Sequence, residues 1–474
     1  VVFPKEIRAP GARTYCLALF CLVGVIYSSR GSTAELGSDL KASKKLSWKA
    51  CIDEVAQNNA EIRSARETWQ ATEFSKTAAR SGFYPQLNGI IGYSYGKGTT
   101  VDSSALSGAA NSVGGVSSSK NESTYSTSIS LNQNLFSGFQ DSGKVSQATA
   151  NARAARAQYD LAKAKISSDL KSAYSGLLFA QRAIELEHEV VRRRENNLRL
   201  VDLRFQGGRE NKGSLLLSKA YLEQANYEDL QAHNNIRVYQ TQLARVLGRD
   251  DNQEKGRDAI NGTASNSRVL VLDISPEGAI PLENPNVIQN FVNLVGNTPE
   301  HFQVVAQLEA TRSGTTLAQA GFYPSLNLIG SAGKFGHEWL PQSDRWSIGL
   351  TLSIPIFSGG KDYYGVQAAS LLQTAAEANR INIDRVILAK LEQTNSTYLE
   401  AIAKLRVDLS FREAALKRSE IARSKYENGL MTFEDWDLIE NDLIVRERAV
   451  LQTQRDLVLA EAAWVLATGK GVIP

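Results

Sequence analysis

Cysteine, methionine and proline are scarce in this chain of 474 residues, at three, one and eleven. No pair among the cysteines and four histidines has the spacing of a zinc ligand set. No Cys-x-x-Cys or haem-attachment motif occurs either. A metal enzyme is therefore not expected, and no metal or cofactor site is assigned. The lone Met431 argues against a Met-lined pocket, and low proline fits a helix-rich chain. A nucleophile elbow, a phosphate loop and paired carboxylates in a pocket-like context are all missing, so the chain does not read as an enzyme. Excess charge is missing too. The formal net charge is +3, and residues 1–30 hold four basic residues against one acidic, leaving 49 of each sign in the rest. That balance gives no electrostatic footprint for nucleic acid. What is present is ordinary for a folded protein, with 42% apolar and 22% charged residues.

Lys5, Arg8 and Arg13 precede an apolar run from Tyr15 to Tyr27, and Ser28 and Ser29 follow. This is the layout of a secretory signal peptide, expected over residues 1–30. The run is short for a bilayer-spanning helix, which ranks an uncleaved anchor lower. Without that segment Cys51 is the one cysteine left, so an internal disulfide is not expected.

The chain is internally duplicated. Gly82-Phe83-Tyr84-Pro85 recurs as Gly321-Phe322-Tyr323-Pro324, and Leu135-Phe136-Ser137-Gly138 recurs as Ile356-Phe357-Ser358-Gly359. Arg204-Phe205-Gln206-Gly207-Gly208 recurs as Lys425-Tyr426-Glu427-Asn428-Gly429, and Leu247-Gly248 answers Thr468-Gly469. The last three pairs share an offset of 221, whereas the first pair has 239. The 18-residue difference falls in one connection, where the first half has a Gly/Ser-rich stretch from Gly96 to Thr124. A surface loop tolerates such an insertion. The expected organisation is a first repeat over 31–247, a linker over 248–297 and a second repeat over 298–474.

Two kinds of segment alternate. Tyr125, Thr127, Ile129, Leu131 and Leu135 alternate with serine and asparagine, and Trp346, Ile348, Leu350, Leu352, Ile354 and Ile356 alternate with Ser347, Gly349, Thr351 and Ser353. This period of two predicts strands at about 125–136 and 345–356, with weaker partners at 86–95 and 325–334. Phe139 to Phe205 and Lys361 to Tyr426 contain no proline and are rich in Ala, Leu, Gln, Glu, Lys and Arg. They predict helices on the order of 100 Å long at ~1.5 Å per residue. Shorter helices are expected from about Trp48 to Ser81, Ser214 to Leu247, Thr298 to Ala320 and Phe433 to Ala467. In the first half the two short helices sum to the length of the long one, which allows them to lie end to end beside it.

A soluble sheet with one wet face would show the same alternation. Export, strands about as long as tilted membrane strands (~9–11 residues), and aromatics at the strand ends favour a membrane barrel instead. Four strands cannot close a barrel, and lipid does not tolerate an open sheet edge. Several copies must therefore combine. Eight strands leave an interior just filled by side chains, so a water-filled lumen favours three copies or more.

With these landmarks the sequence resembles the TolC-like outer membrane efflux proteins over about residues 46–247 and 298–470. The resemblance rests on the duplication, each Phe-Tyr-Pro before a hairpin, each Phe-Ser-Gly before a long helix, and the Gly-containing turn that follows. It implies an α plus transmembrane β-barrel fold, in which a homotrimer builds a 12-strand barrel on an α-helical barrel. It also implies a passive exit duct of a tripartite efflux or type I secretion system, without covalent chemistry or cofactors. The implied partners are outer-membrane lipid, a periplasmic adaptor (membrane fusion) protein and an inner-membrane pump of RND, ABC or MFS type. The implied location is the outer membrane of a Gram-negative bacterium, with the helices in the periplasm. A non-transporting structural or adhesive coiled-coil protein of the envelope is the alternative, and the period-two strands argue against it.

By this resemblance the turns at Gly207-Gly208 and Asn428-Gly429 are periplasmic tips, where the duct closes and the adaptor docks. The adaptor contact is expected at Arg204, Gly207, Gly208, Arg209, Lys425, Asn428, Gly429 and Leu430. The pore gate is expected at Asp435, Asp437, Glu434, Tyr426 and Ser214. Asp435 matches the first position of an acidic ring, while Leu438 departs from the second. Tyr426 matches a tyrosine that bonds across to the neighbouring hairpin. Thr432-Phe433-Glu434-Asp435 also reads as a helix capping box, which is compatible with a ring. The run Arg192-Arg193-Arg194 reads as a solvated helical face, and Cys51 as a buried small apolar residue.

Overall fold

In the computed structural model the described residues are 44–99, 119–249, 274–277, 280, 282 and 290–473. The expected signal peptide, most of the linker 248–297, and the middle of the Gly/Ser-rich loop lie outside them. Two long helices dominate, α3 (Gln140–Gln206) and α7 (Lys361–Glu427), each of 67 residues. Their shorter companions are α1 (Trp48–Asn58), α2 (Ala60–Ala79), α4 (Lys212–Leu247), α5 (Phe291–Val295), α6 (Pro299–Gln319) and α8 (Phe433–Ala467). Among the described residues there are six strands: β1 (Lys44–Ser47), β2 (Gln86–Thr99), β3 (Ser119–Phe136), β4 (Ile274–Glu277), β5 (Ser325–Gly336) and β6 (Ser343–Ser353). No described helix is long and apolar enough to cross a membrane.

Each long helix packs against a pair of short ones, α3 with α2 and α4, and α7 with α6 and α8. The short helices meet end to end, and the two joints are built alike. In the first half α4 stops at Gly248, which has φ +70° and sits against Asn58 and Asn59. Asn59 caps α2 by accepting from the Glu61 and Ile62 N–H groups, and its Nδ2 donates to the Val246 carbonyl at 2.8 Å. In the second half α8 stops near Gly469, also at φ +70°, against Pro299 in the first turn of α6. Both stops use the same pair of backbone bonds. Gly248 N–H reaches the Arg245 carbonyl and Arg249 N–H reaches Ala244, while Gly469 and Lys470 repeat this onto Leu466 and Val465. This is the glycine-terminated Schellman stop, open only to a residue that tolerates a left-handed backbone.

The first joint is also the main apolar core. Leu46, Cys51, Val55, Ile62, Leu170, Tyr174, Leu177, Leu243 and Leu247 pack there, with Ile473 from the chain's end. Burial pushes the Cys51 thiol up to about 11, so it stays a neutral packing group. Strand β1 pairs in parallel with β4, from the linker, and Tyr174 hydroxyl donates to the Leu46 carbonyl at 3.2 Å. A second core joins Ile387, Leu391, Tyr398, Leu457 and Trp464.

The two halves are joined along α3 and α8 by a ladder of charged contacts. Arg194 Nη1 meets Asp437 Oδ1 at 3.2 Å, and Arg193 pairs with Glu447. Arg448 bridges Glu187 on α3 and Glu228 on α4, and Lys171 pairs with Glu461. This corrects the reading of Arg192-Arg193-Arg194 as a solvated face. Only Arg192 is exposed, whereas Arg194 is buried. The acids that receive these arginines lie more than 240 residues away in sequence, beyond any local charge pattern.

The remaining strands form one antiparallel sheet in the order β2-β3-β5-β6. Strands β2 and β3 run further into the Gly/Ser-rich connection than the alternation predicts, to Thr99 and from Ser119. Strand β6 ends at Ser353, short of Pro355. Proline has no N–H for the ladder, which explains the earlier stop.

Candidate functional site

Three features bear on function: the tips where α3 turns into α4 and α7 turns into α8, the faces of the four-stranded sheet, and its edges. The two tips have one backbone design. Gly208 N–H bonds the Phe205 carbonyl and Arg209 N–H bonds Arg204, while Gly429 and Leu430 repeat this onto Tyr426 and Lys425. Gly208 has φ +69° and Gly429 φ +74°. A Cβ at either glycine would meet nothing within 4 Å, in contrast to Gly248 and Gly469. The tip glycines therefore serve the turn and leave open space around it. Asn211 caps α4 by accepting from the Ser214 N–H at 2.9 Å. Thr432 caps α8 by accepting from the Asp435 N–H at 3.2 Å, and its hydroxyl donates to Asp435 Oδ2 at 2.8 Å. The N-cap half of the capping box is thus present, while Asp435 takes the Thr432 hydroxyl, and the acids of that first turn suit the positive end of the helix.

Tyr426 sits where the two tips touch. Its ring stacks on Trp436 at 4.3 Å and meets Phe433 edge-on. The Arg204 guanidinium lies 4.4 Å over its other side and donates to the Tyr426 carbonyl at 2.6 Å. The Tyr426 hydroxyl donates to Glu210 Oε2 at 2.9 Å, which ties the α7–α8 tip to the α3–α4 turn. Burial first, and then the bond to Glu210, hold this phenol well above its usual range. A raised folded value means that the contribution is fully present below the ordinary phenol value near ~10. It is lost only as pH rises through the higher folded value.

Other gate candidates divide into two groups. Glu434 and Asp435 are exposed, as is Leu438, whereas Asp437 and Ser214 are buried. Asp437 is held by Arg194 and by Asn441 Nδ2 at 2.9 Å, and burial outweighs Arg194 in pushing its carboxyl up. Of the adaptor candidates, Gly207, Gly208, Arg209, Lys425, Asn428, Gly429 and Leu430 are exposed. Arg204 instead has its guanidinium committed to Tyr426. Sequence reasoning missed Glu210, Trp436 and Arg194, which complete the tip. Trp436 was findable as an aromatic three residues after Phe433 on a helix; the distant partners were not.

The sheet has two unlike faces. Register puts Leu87, Ile91, Tyr93, Tyr125, Ile129, Leu131, Leu326, Leu328, Trp346, Ile348, Leu350 and Leu352 on one side. The other side carries Asn88, Ser94, Ser126, Ser128, Ser130, Asn132, Asn327, Ser331, Ser347 and Thr351, interrupted by Ile90, Ile329 and Phe335. The apolar side is uncovered, with Ile91 87% and Trp346 74% exposed. Strand β6, Ser343–Ser353, has 11 residues and so ten steps of rise. At ~3.3 Å per residue and ~40° tilt this gives a band about 25 Å tall, the height of a membrane barrel's lipid face. Among the described residues β2 pairs only with β3, and β6 only with β5, so both outer edges are open.

A sheet with one oily and one wet face, carried on helices of 67 residues, defines an outer-membrane channel of the TolC-like kind. The chain belongs to the outer membrane efflux protein family, whose model matches residues 51–249 and 294–470. It is 28% identical over 230 residues to the fusaric acid resistance protein FusA of Burkholderia cepacia, covering 47% of this chain and 40% of that protein. It is 23% identical over 439 residues to nodulation protein T of Rhizobium leguminosarum bv. trifolii, covering 89% and 85%. The solved outer membrane protein VceC of Vibrio cholerae shares the fold at a TM-score of 0.73 and 20% identity, over 89% of this chain and 96% of that one. The protein is accordingly an outer membrane efflux protein of a Gram-negative envelope, with its helices in the periplasm.

Proposed function

We propose that three copies join β6 to β2 of the next copy, closing a twelve-strand barrel that serves as a passive exit duct. The carrying observation is the pair of open edges flanking a sheet whose apolar face is bare. Unpaired backbone in hydrocarbon costs several kcal/mol per group, so an edge at membrane depth needs a partner strand. Three copies, unlike two, leave a water-filled lumen lined by the serine and asparagine face. The duct works in a tripartite efflux or type I secretion system. An inner-membrane pump of RND, ABC or MFS type supplies cargo through a periplasmic adaptor. The adaptor docks on the exposed tip residues Gly207, Gly208, Arg209, Lys425, Asn428, Gly429 and Leu430, with Arg204 supporting them from beneath. The inner mouth is closed by the Tyr426 contact, and Glu434 and Asp435 face the narrowed bore. Asp437 and Ser214 hold the shape of that mouth.

This reading is tested by conductance in a planar bilayer. A unit charge pair at ~4 Å in water is worth about 1 kcal/mol. Three Asp435→Asn replacements are therefore expected to weaken block by a trivalent cation on the periplasmic side by at least about ten-fold. Unchanged block leaves Asp435 as a helix cap alone, and absence of conductance removes the duct.

A further inference from the structure

The wet face of the sheet holds one charged residue among the described side chains, Arg345. It stands on β6 opposite Gly333 of β5, with Ser343 and Ser347 beside it on its own strand. Ser126 and Ser128 lie one strand further on. Its sequence neighbours Asp344 and Trp346 belong to the other face, where Asp344 pairs with Lys334 at 3.4 Å and cancels its charge. Arg345 is exposed, and the facing Gly333 offers no side chain to cover it. It forms no ion pair among the described residues. It lies three residues past Gln342, beside the β5–β6 connection and level with Trp346, hence at the end of the sheet away from the helices.

We propose that Arg345 sets an anion preference at the outer mouth, favouring anionic over cationic solutes of equal size. This rests on the twelve-strand reading, in which the wet face lines the lumen and the threefold repeat makes a ring of three guanidiniums. Twelve strands ~4.8 Å apart at ~40° tilt give a wall about 12 Å from the axis. A side chain reaching inward from that wall brings its charge to the order of one Debye length (~8 Å at 0.15 M) from the axis. Low-dielectric walls lined by one sign of charge concentrate the opposite ion. Its described neighbours on that face, Ser331, Gly333, Phe335, Ser343 and Ser347, are all neutral.

The experiment is the reversal potential of the full-length channel under a KCl gradient, for wild type, Arg345→Gln, Arg345→Lys and Ser347→Asp. In ~0.01 M salt, where the Debye length is ~30 Å, Arg345→Gln is expected to lower the anion-to-cation permeability ratio by about two-fold. Arg345→Lys keeps the wild-type ratio. Ser347→Asp, on the same face, shifts it in the direction of Arg345→Gln while leaving the arginine in place. In 1 M salt the differences vanish. An unchanged ratio at low salt in conducting Arg345→Gln and Ser347→Asp channels overturns the proposal and leaves the duct standing. A wild-type protein that does not conduct overturns the duct and this proposal with it.

Discussion

Asp437→Leu is expected to destabilise the helical part by about 3–5 kcal/mol, because it leaves the buried Arg194 guanidinium without its carboxylate. Arg194 and Asp437 are each less than 10% exposed, and their contact joins α3 to α8 near the tip. After the substitution Arg194 retains the Asn441 side chain and the Tyr221 ring, 4.8 Å away, but no opposite charge in this contact. The double variant Arg194→Met with Asp437→Leu removes both charges, and such replacements often come out neutral or better. Thermal unfolding in detergent, followed by helical circular dichroism, measures both. A large loss in the single variant and recovery in the double one identifies Asp437 as a positioning residue of the tip. If Asp437→Leu melts like wild type but alters cation block, the carboxylate faces the bore instead.

The second large effect separates four glycines that look equivalent in sequence. Gly248, Gly469, Gly208 and Gly429 all have φ near +70°. Any other residue there bears roughly 1–2 kcal/mol for the left-handed backbone. At the tips nothing lies within 4 Å of the added Cβ, so crowding of the Cβ does not add to that backbone cost. At the joints the Cβ would come to 2.4 Å from the Asn58 carbonyl oxygen or 2.1 Å from Pro299 Cδ. Crowding of that kind adds typically 1–3 kcal/mol or more. Gly248→Ala and Gly469→Ala are therefore expected to lose assembled protein. Gly208→Val and Gly429→Val are expected to assemble and conduct, yet fail to export in cells with the native pump, because the bulk occupies the adaptor's space. Normal export by both tip variants would remove those turns from the adaptor contact, and normal assembly by both joint variants would contradict the packing described.

Much of this architecture was legible because its signals are local. The strand alternation at Tyr125 and Trp346 and the proline-free runs after Phe139 and Lys361 located the sheet and both long helices; the helix ends agree to within a residue. The Thr432 to Asp435 spacing likewise announced its cap. Contacts that cross between the halves were not legible. Tyr426 and Glu210 are 216 residues apart, and Arg194 and Asp437 are 243 apart. A triple arginine on a helix carries no mark of which member turns inward until α8 is laid beside it. The end-to-end joint of the first half was suggested by helix lengths alone. What secures both joints, Gly248 against Asn58 and Gly469 against Pro299, depends on backbone approach that sequence pattern does not encode.

The most direct test of the whole account is the mass of the detergent-extracted protein, measured by native mass spectrometry together with its bilayer conductance. The account predicts three copies and an open-pore current. A stable monomer that carries no current would contradict it, because its two sheet edges would then survive in lipid without partner strands.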